Sequence, residues 1–367
     1  MPCQAHSARL RAAKRRLIPP APSLAAAPCW SASSARTPAL LALAVAAALV
    51  CTAVPLSTVH AATQAQTAGT ESKAQQLNRL YAEFWEETLK LNPLQATFQG
   101  DNRYNDQLPN FFTEASRKEA HDFTVRWLKR VEAIGPKGLS GQDRLSYDIF
   151  VKNAKDTLEG EKFPGYLMPI DQFNNIAGFA AQLGSGSNAQ PFKTVKDYDD
   201  WRARGGKMAP IFDQAILNMR EGMRQGVVQP KVLMQKVLPQ FDALIADQAE
   251  KTLFWGPIKA MPATFSEADK ARITAEYRTM IEQEIMPAYR RMRDFIAKDY
   301  LPACRDSAGM QSLPNGQAWY AFNAYLNTST RLTPAQIHQT GLNEVARIHG
   351  EMRKVMQQVG FKSTLQD

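Results

Sequence analysis

The sequence predicts an all-α protein, a multi-helix domain. Beyond residue 70, apolar residues recur at steps of three and four, the spacing that puts side chains on one helix face. Strand-type alternation is scarce. Helix-start signals precede the periodic runs: Ser140 with Asp143, Ser266 with Asp269, and Thr333-Pro334 with Gln336.

The first helix carries Leu77, Leu80, Tyr81, Phe84, Thr88 and Leu91 on one face and ends at Asn92-Pro93, because the residue before a proline is pushed out of helical geometry. A second helix runs from about Glu114 to Ile134, with Phe123, Trp127 and Val131 on its stripe, and Gly135-Pro136-Lys137-Gly138 breaks it. Ser140 opens a third, whose apolar face includes Leu145, Ile149 and Phe150. Residues 160–194 are rich in Gly, Pro, Asn and Ser, with a short helix near Ile176 to Leu183; an irregular segment this long belongs to function or mobility more often than to accident. Helices resume at Asp197–Ala203, Met208–Gln225, Lys231–Leu238 and Phe241–Leu253. A long helix spans about Glu267 to Lys298, lined by Tyr277, Ile281, Ile285, Met292 and Phe295, with a kink expected at Pro287. The last helix starts at Thr333, and Ile337, Gly341, Val345, Ile348, Met352, Met356 and Val359 are expected to form its buried stripe.

Residues 1–61 read as a signal peptide. A long basic head (Arg9, Arg11, Lys14, Arg15, Arg16, Arg36) precedes an apolar run from Ala39 to Val54, and Val59-His60-Ala61 offers a small-residue exit. The run is shorter than the ~20 residues a membrane span needs, so no stable span is expected after cleavage. Val50 stands before Cys51 where a lipidation site would need Gly or Ala. Residues 62–70 read as a flexible leader and 71–367 as the helical domain. Losing the six basic residues of the signal lowers the formal charge from +9 to +3, which argues against a nucleic-acid partner. Cys3, Cys29 and Cys51 leave with the signal, and Cys304 alone cannot form an internal disulfide. Localisation is expected to be exported, periplasmic or secreted.

Candidate chemistry is sparse. Three histidines remain after the signal: His121, His338 and His349. The last two share a helix side but stand about 16 Å apart along the axis, too far to share a zinc ion. Gly184-Ser185-Gly186-Ser187 lacks the strand and helix of a nucleophile elbow, and no strand precedes it as a dinucleotide fingerprint requires. Cys304 beside Arg305 has no histidine near it in sequence. The block before the last helix offers Tyr320, Tyr325, Thr328 and Thr330. Their hydroxyls can grip a peptide backbone, since each donates and accepts. The same aromatics also suit core packing, and the threonines suit capping the turn.

Two blocks carry a resemblance. One is Phe84-Trp85, Asn92-Pro93, Ala96-Thr97, Gly100-Asp101, Tyr104 and Leu108-Pro109. The other is Leu313-Pro314-Asn315-Gly316, Trp319-Tyr320, Asn327-Thr328-Ser329-Thr330, Leu332 through His338, Gly341-Leu342 and Glu344 through Ile348. In that order they resemble the bacterial domain-of-unknown-function family 885, from about Leu77 onward. The resemblance implies a helical zinc peptidase whose metal motif, His-Glu-x-x-Pro-Gly-His, lies further along. No such motif is present in this sequence, so no metal ligand and no catalytic residue carries over. Zinc is expected only for a complete family member. The expectation is therefore the amino-terminal half of a larger metallopeptidase-like fold, truncated at its C-terminus, inactive alone, with a peptide substrate or the missing C-terminal half as partner. Helices meant to pack on absent neighbours would expose apolar stripes. The alternative is a non-catalytic exported helical domain that binds peptide or protein.

Overall fold

The structure, a computed structural model, describes residues 71–366. The signal peptide expected at 1–61 and the leader at 62–70 lie outside the described residues. The architecture is all-helical: among the described residues there is no sheet, and an isolated parallel bridge joins Pro230 to Arg305.

Helix α1 (Lys73–Leu91) starts on a capping box from Ser72 and Gln75. The short α2 (Pro93–Phe98) follows directly. Helices α3 (Glu114–Ile134) and α4 (Gly141–Gly160) pack on one another and on α1. Leu77, Leu80, Trp127, Val131 and Tyr147 form a small core between them, edged by Phe84 and Phe150. Ser140 precedes α4 as expected, but its side chain makes no capping bond.

The main core is built by α5 (Ile176–Leu183), α6 (Val195–Gly205), α7 (Met208–Gln225), α8 (Lys231–Leu244), α9 (Gly256–Lys259), α10 (Glu267–Thr279), α11 (Met286–Phe295) and α12 (Leu301–Ala303). Tyr198, Trp201, Phe212, Phe241, Phe254 and Tyr289 fill its centre. Buried tyrosine hydroxyls tether the irregular segments to it: Tyr289 donates to Ala177 O at 2.7 Å and Tyr198 to Pro257 O at 2.8 Å. Leaving such groups unpaired would cost about 1–3 kcal/mol each. Arg204 is fully buried, and its guanidinium donates to Gln107 O, Thr97 Oγ1, Gln190 Oε1 and Tyr104 O at 2.7–3.0 Å. Burial lowers its pKa to about 10, with Asp106 and Asp200 pulling the other way.

Two helix expectations are corrected. Helix α8 runs through Pro239 to Leu244, where a break at residues 239–240 and a separate helix to Leu253 were expected. Met234, Val237 and Phe241 are buried and carry the helix across, while Pro239 and Gln235, whose carbonyl loses its partner, face solvent. Residues 245–255 then form short turns rather than a helix. The long helix does not end at Lys298. It continues as α10, α11 and α12 through π-turns at Met280–Ile285 and Ile296–Tyr300, where Met286 N–H bonds Ile281 O and Leu301 N–H bonds Ile296 O. Each π-turn lies just ahead of a proline, Pro287 or Pro302. The wider turn is where the missing proline donor is accommodated.

Two further helices close the described chain, α13 (Gly316–Thr328) and α14 (Pro334–Gln358). The expected buried stripe of α14 is overturned: none of its residues is buried. Leu342, Val345, Ile348, Met352, Val355, Val359 and the following Phe361 are 45 to 72% exposed. No helix of the described chain packs along α14.

Candidate functional site: the corner between α13 and α14

Helix α13 begins where Asn315 takes the left-handed conformation, φ +55°. The next residue must be glycine, because a Cβ on Gly316 would stand 1.9 Å from Met310 O. This tight entry aims Trp319 and Phe322 at the end of α4, where both stack on Phe163 with ring centroids 5.8 and 5.3 Å away. Leu167, Val227, Leu313 and Trp319 make a third small core there.

One turn further on, Tyr325 meets α4. Its hydroxyl donates to Asp156 Oδ1 at 2.9 Å. Lys152 Nζ lies 4.7 Å from the ring centroid and the Arg331 guanidinium 3.6 Å from it. Lys152 also pairs with Asp156 at 2.5 Å, and Arg331 with Glu159 at 3.2 Å. The hydrogen bond to Asp156 raises the Lys152 pKa, and the bond to Glu159 raises that of Arg331. The sequence reading missed Lys152, Asp156, Glu159 and Arg331. The i,i+4 spacing of Lys152 and Asp156 was the one visible signal.

The four hydroxyl residues singled out from sequence do not converge on a point. Tyr325 is buried against α4, while Tyr320 on the same helix is 46% exposed. Thr328 Oγ1 donates to Ala324 O at 2.8 Å and accepts from Thr330 N at 3.3 Å. The two threonines thus sit together at the turn where Ser329, φ +56°, closes α13. Thr333 then accepts from Gln336 N at 3.2 Å, and Gln336 Oε1 accepts from Thr333 N at 2.8 Å, the capping box that launches α14.

The donor set does not suit a metal. His121 Nδ1 is 2.6 Å from Glu161 Oε2, while His338 and His349 lie exposed on α14. Among the described residues no group of three His, Cys, Asp or Glu side chains gathers to hold an ion. Cys304 is buried, and burial pushes its thiol up to about 11 against the pull of Lys231 and Arg305. Among the described residues no helix is long and apolar enough to cross a membrane.

The fold and this corner define a helical scaffold with one face left open. The chain belongs to a family of bacterial proteins of unknown function, DUF885, whose model matches residues 93–367. A solved structure described as "the putative lipoprotein from Colwellia psychrerythraea" has the same fold, with a TM-score of 0.65 and 21% identity over 80% of this chain. The chain spans about half the length of that protein, 53%. No curated protein matches it.

Proposed function

We propose that this chain is the amino-terminal helical part of an exported family protein of zinc-peptidase type, whose hydrolytic centre is carried by a separate stretch of sequence. In this reading the described residues supply the scaffold and one wall of a substrate cleft, and alone they are inactive. The basic-then-apolar head of the sequence and a lipoprotein designation for a protein of the same fold support export. The observation that carries the scaffold reading is α14, a 25-residue helix with a capping box and no buried residue. A helix with an apolar stripe is stable in a globular protein because that stripe packs. The test is to assay the purified chain for bound zinc and peptide cleavage. Neither is expected, and stoichiometric metal with chelator-sensitive turnover would refute the reading.

A second reading, a non-catalytic exported domain that binds peptide or protein, is favoured by Phe173. This side chain is 81% exposed within the irregular segment 160–194. The nucleotide sequence past codon 367 separates the two. A His-Glu-x-x-Pro-Gly-His in or out of frame supports the enzyme part, and unrelated sequence supports the binder.

A further inference from the structure

The open face of α14 has a shape that restricts what can cover it. Val345, Ile348, Met352, Val355 and Val359 follow alternating steps of three and four. Leu342, His349 and Met356 widen that seam on one side only. A two-stranded coiled coil uses the narrow seam, whereas a helix facing the core of a bundle uses the seam and a flank. On the other side Glu344 and Glu351 are already paired within the helix, accepting from Arg347 Nε and Lys354 Nζ at 2.9 Å.

The helix also has a built stop. Phe361 N–H bonds Met356 O at 2.9 Å, Gly360 N–H bonds Gln357 O at 3.2 Å, and Gly360 has φ +71°. This double closure with a left-handed glycine ends a helix and turns the next apolar residue back onto it. Phe361 and Leu365 accordingly border a groove with Ile348, Met352 and Val355. Helix α4 carries a separate exposed apolar pair, outside that groove. Leu145 and Ile149, both exposed, lie on the same α4 face as Lys152 and Asp156. Those two residues hold Tyr325 at the corner from which α14 departs.

We propose that α14 and the Leu145–Ile149 face of α4 form a docking surface for a further helical body of the family fold, one presenting at least two amphipathic helices. The proposal rests on the reading that the hydrolytic half is separate sequence, and it names the surface that half would occupy. Two observations favour this occupant over a second copy of the chain. The apolar stripe is wider than a helix-to-helix seam, and a protein of the same fold has nearly half its length outside the matched region.

The test mixes the full chain with a probe, the part of the Colwellia psychrerythraea protein outside that matched region, and follows complex formation by light scattering. A 1:1 complex is expected, weakened at least tenfold by Val345→Glu or Met352→Glu. Leu217→Glu, at an exposed apolar site on α7, should leave it unchanged. No binding to a folded probe, or binding indifferent to Met352→Glu, overturns the proposal. A homodimer that Met352→Glu dissolves overturns it too and assigns the face to a second copy. A second measurement needs no probe: an apolar dye should bind the chain alone and bind Met352→Glu more weakly, and equal dye binding by both counts against an open apolar face. Peptide hydrolysis is assayed separately on the same mixture. A complex that forms but cleaves nothing leaves the docking surface standing and counts against the peptidase reading.

Discussion

The guanidinium of Arg331 lies over the ring of Tyr325, 3.6 Å from its centroid, and reaches past it to Glu159. Through this contact the segment leading into α14 is tied to α4, while α14 itself has no buried residue. A cation over an aromatic face is attracted by the ring quadrupole, and the Tyr325 hydroxyl is fixed in turn by Asp156. Beyond the small core under α13, the exit toward α14 is therefore held by a short chain of named contacts.

Arg331→Ala should release that corner. Backbone hydrogen exchange is expected to rise several-fold across residues 329–341, with the global unfolding transition little changed, because fraying elements open locally. Tyr325→Phe keeps the ring but loses the bond to Asp156, and should cost about 1–2 kcal/mol in urea unfolding. Unchanged exchange in Arg331→Ala would mean that the corner is held by something else.

Gly184 belongs to the Gly-Ser-Gly-Ser run that superficially suggests a cofactor loop. The structure gives it a packing reason: a Cβ there would stand 2.2 Å from Trp201 Cζ2 and 2.7 Å from Phe254 Cδ1, in the middle of the main core. Gly184→Ala is expected to destabilise by about 1–3 kcal/mol, the usual cost of overpacking. Gly178, in α5, has nothing within 4 Å of its Cβ position, so Gly178→Ala should be neutral or stabilising by up to about 1 kcal/mol. Equal effects at the two sites, read by thermal unfolding, would count against this assignment.

The Cys304 thiol gives a pH dependence with a definite sign. Its ordinary value is 9.0 and burial raises it to about 11 in the folded chain. Between those values the folded state holds more protons than the unfolded state, so stability falls as pH rises. The loss should be roughly 2–3 kcal/mol over the interval. Tyr81 and Tyr198, each pushed up to about 12 by burial, add to the fall above pH 10. Urea titrations of the native chain and Cys304→Ala at pH 8 and pH 9.8 isolate the thiol. The native chain should lose more stability over this step than the variant.

Helix existence was readable because the steps of three and four are a local property, as are the Ser266 and Thr333 caps, and both caps are present. Burial was not. The stripe on α14 has the same pattern whether or not a neighbour covers it, so Val345 and Met352 read as core and are exposed. Pro239 read as a break because the rule concerns the lost donor. Its outcome depended on whether the freed Gln235 carbonyl faced water, which is a tertiary fact. Arg204 carries no local signal at all, since three of its acceptors lie some hundred positions earlier in the chain. The site suffered most for this reason. The hydroxyls of Tyr320, Tyr325, Thr328 and Thr330 were close in sequence, but α13 turns Tyr325 inward and leaves Tyr320 exposed.

Asp171 decides whether Phe173 is displayed or merely loose. Its Oδ1 accepts from Phe173 N and Asn174 N, both at 2.7 Å, and its Oδ2 accepts from Asn174 Nδ2 at 2.9 Å. Gln240 Nε2 on α8 then donates to Gln172 O at 2.9 Å, and Asn175 Nδ2 donates to Gln240 Oε1. An aspartate bonded to its own following backbone makes a tight turn, so this exposed aromatic stands on a braced base. Asp171→Ala should cost about 1–2 kcal/mol and speed hydrogen exchange at residues 171–175, without altering the rest of the chain. If exchange there is already fast in the native protein, the turn is not braced, and Phe173 loses its standing as a presented contact for the binding reading.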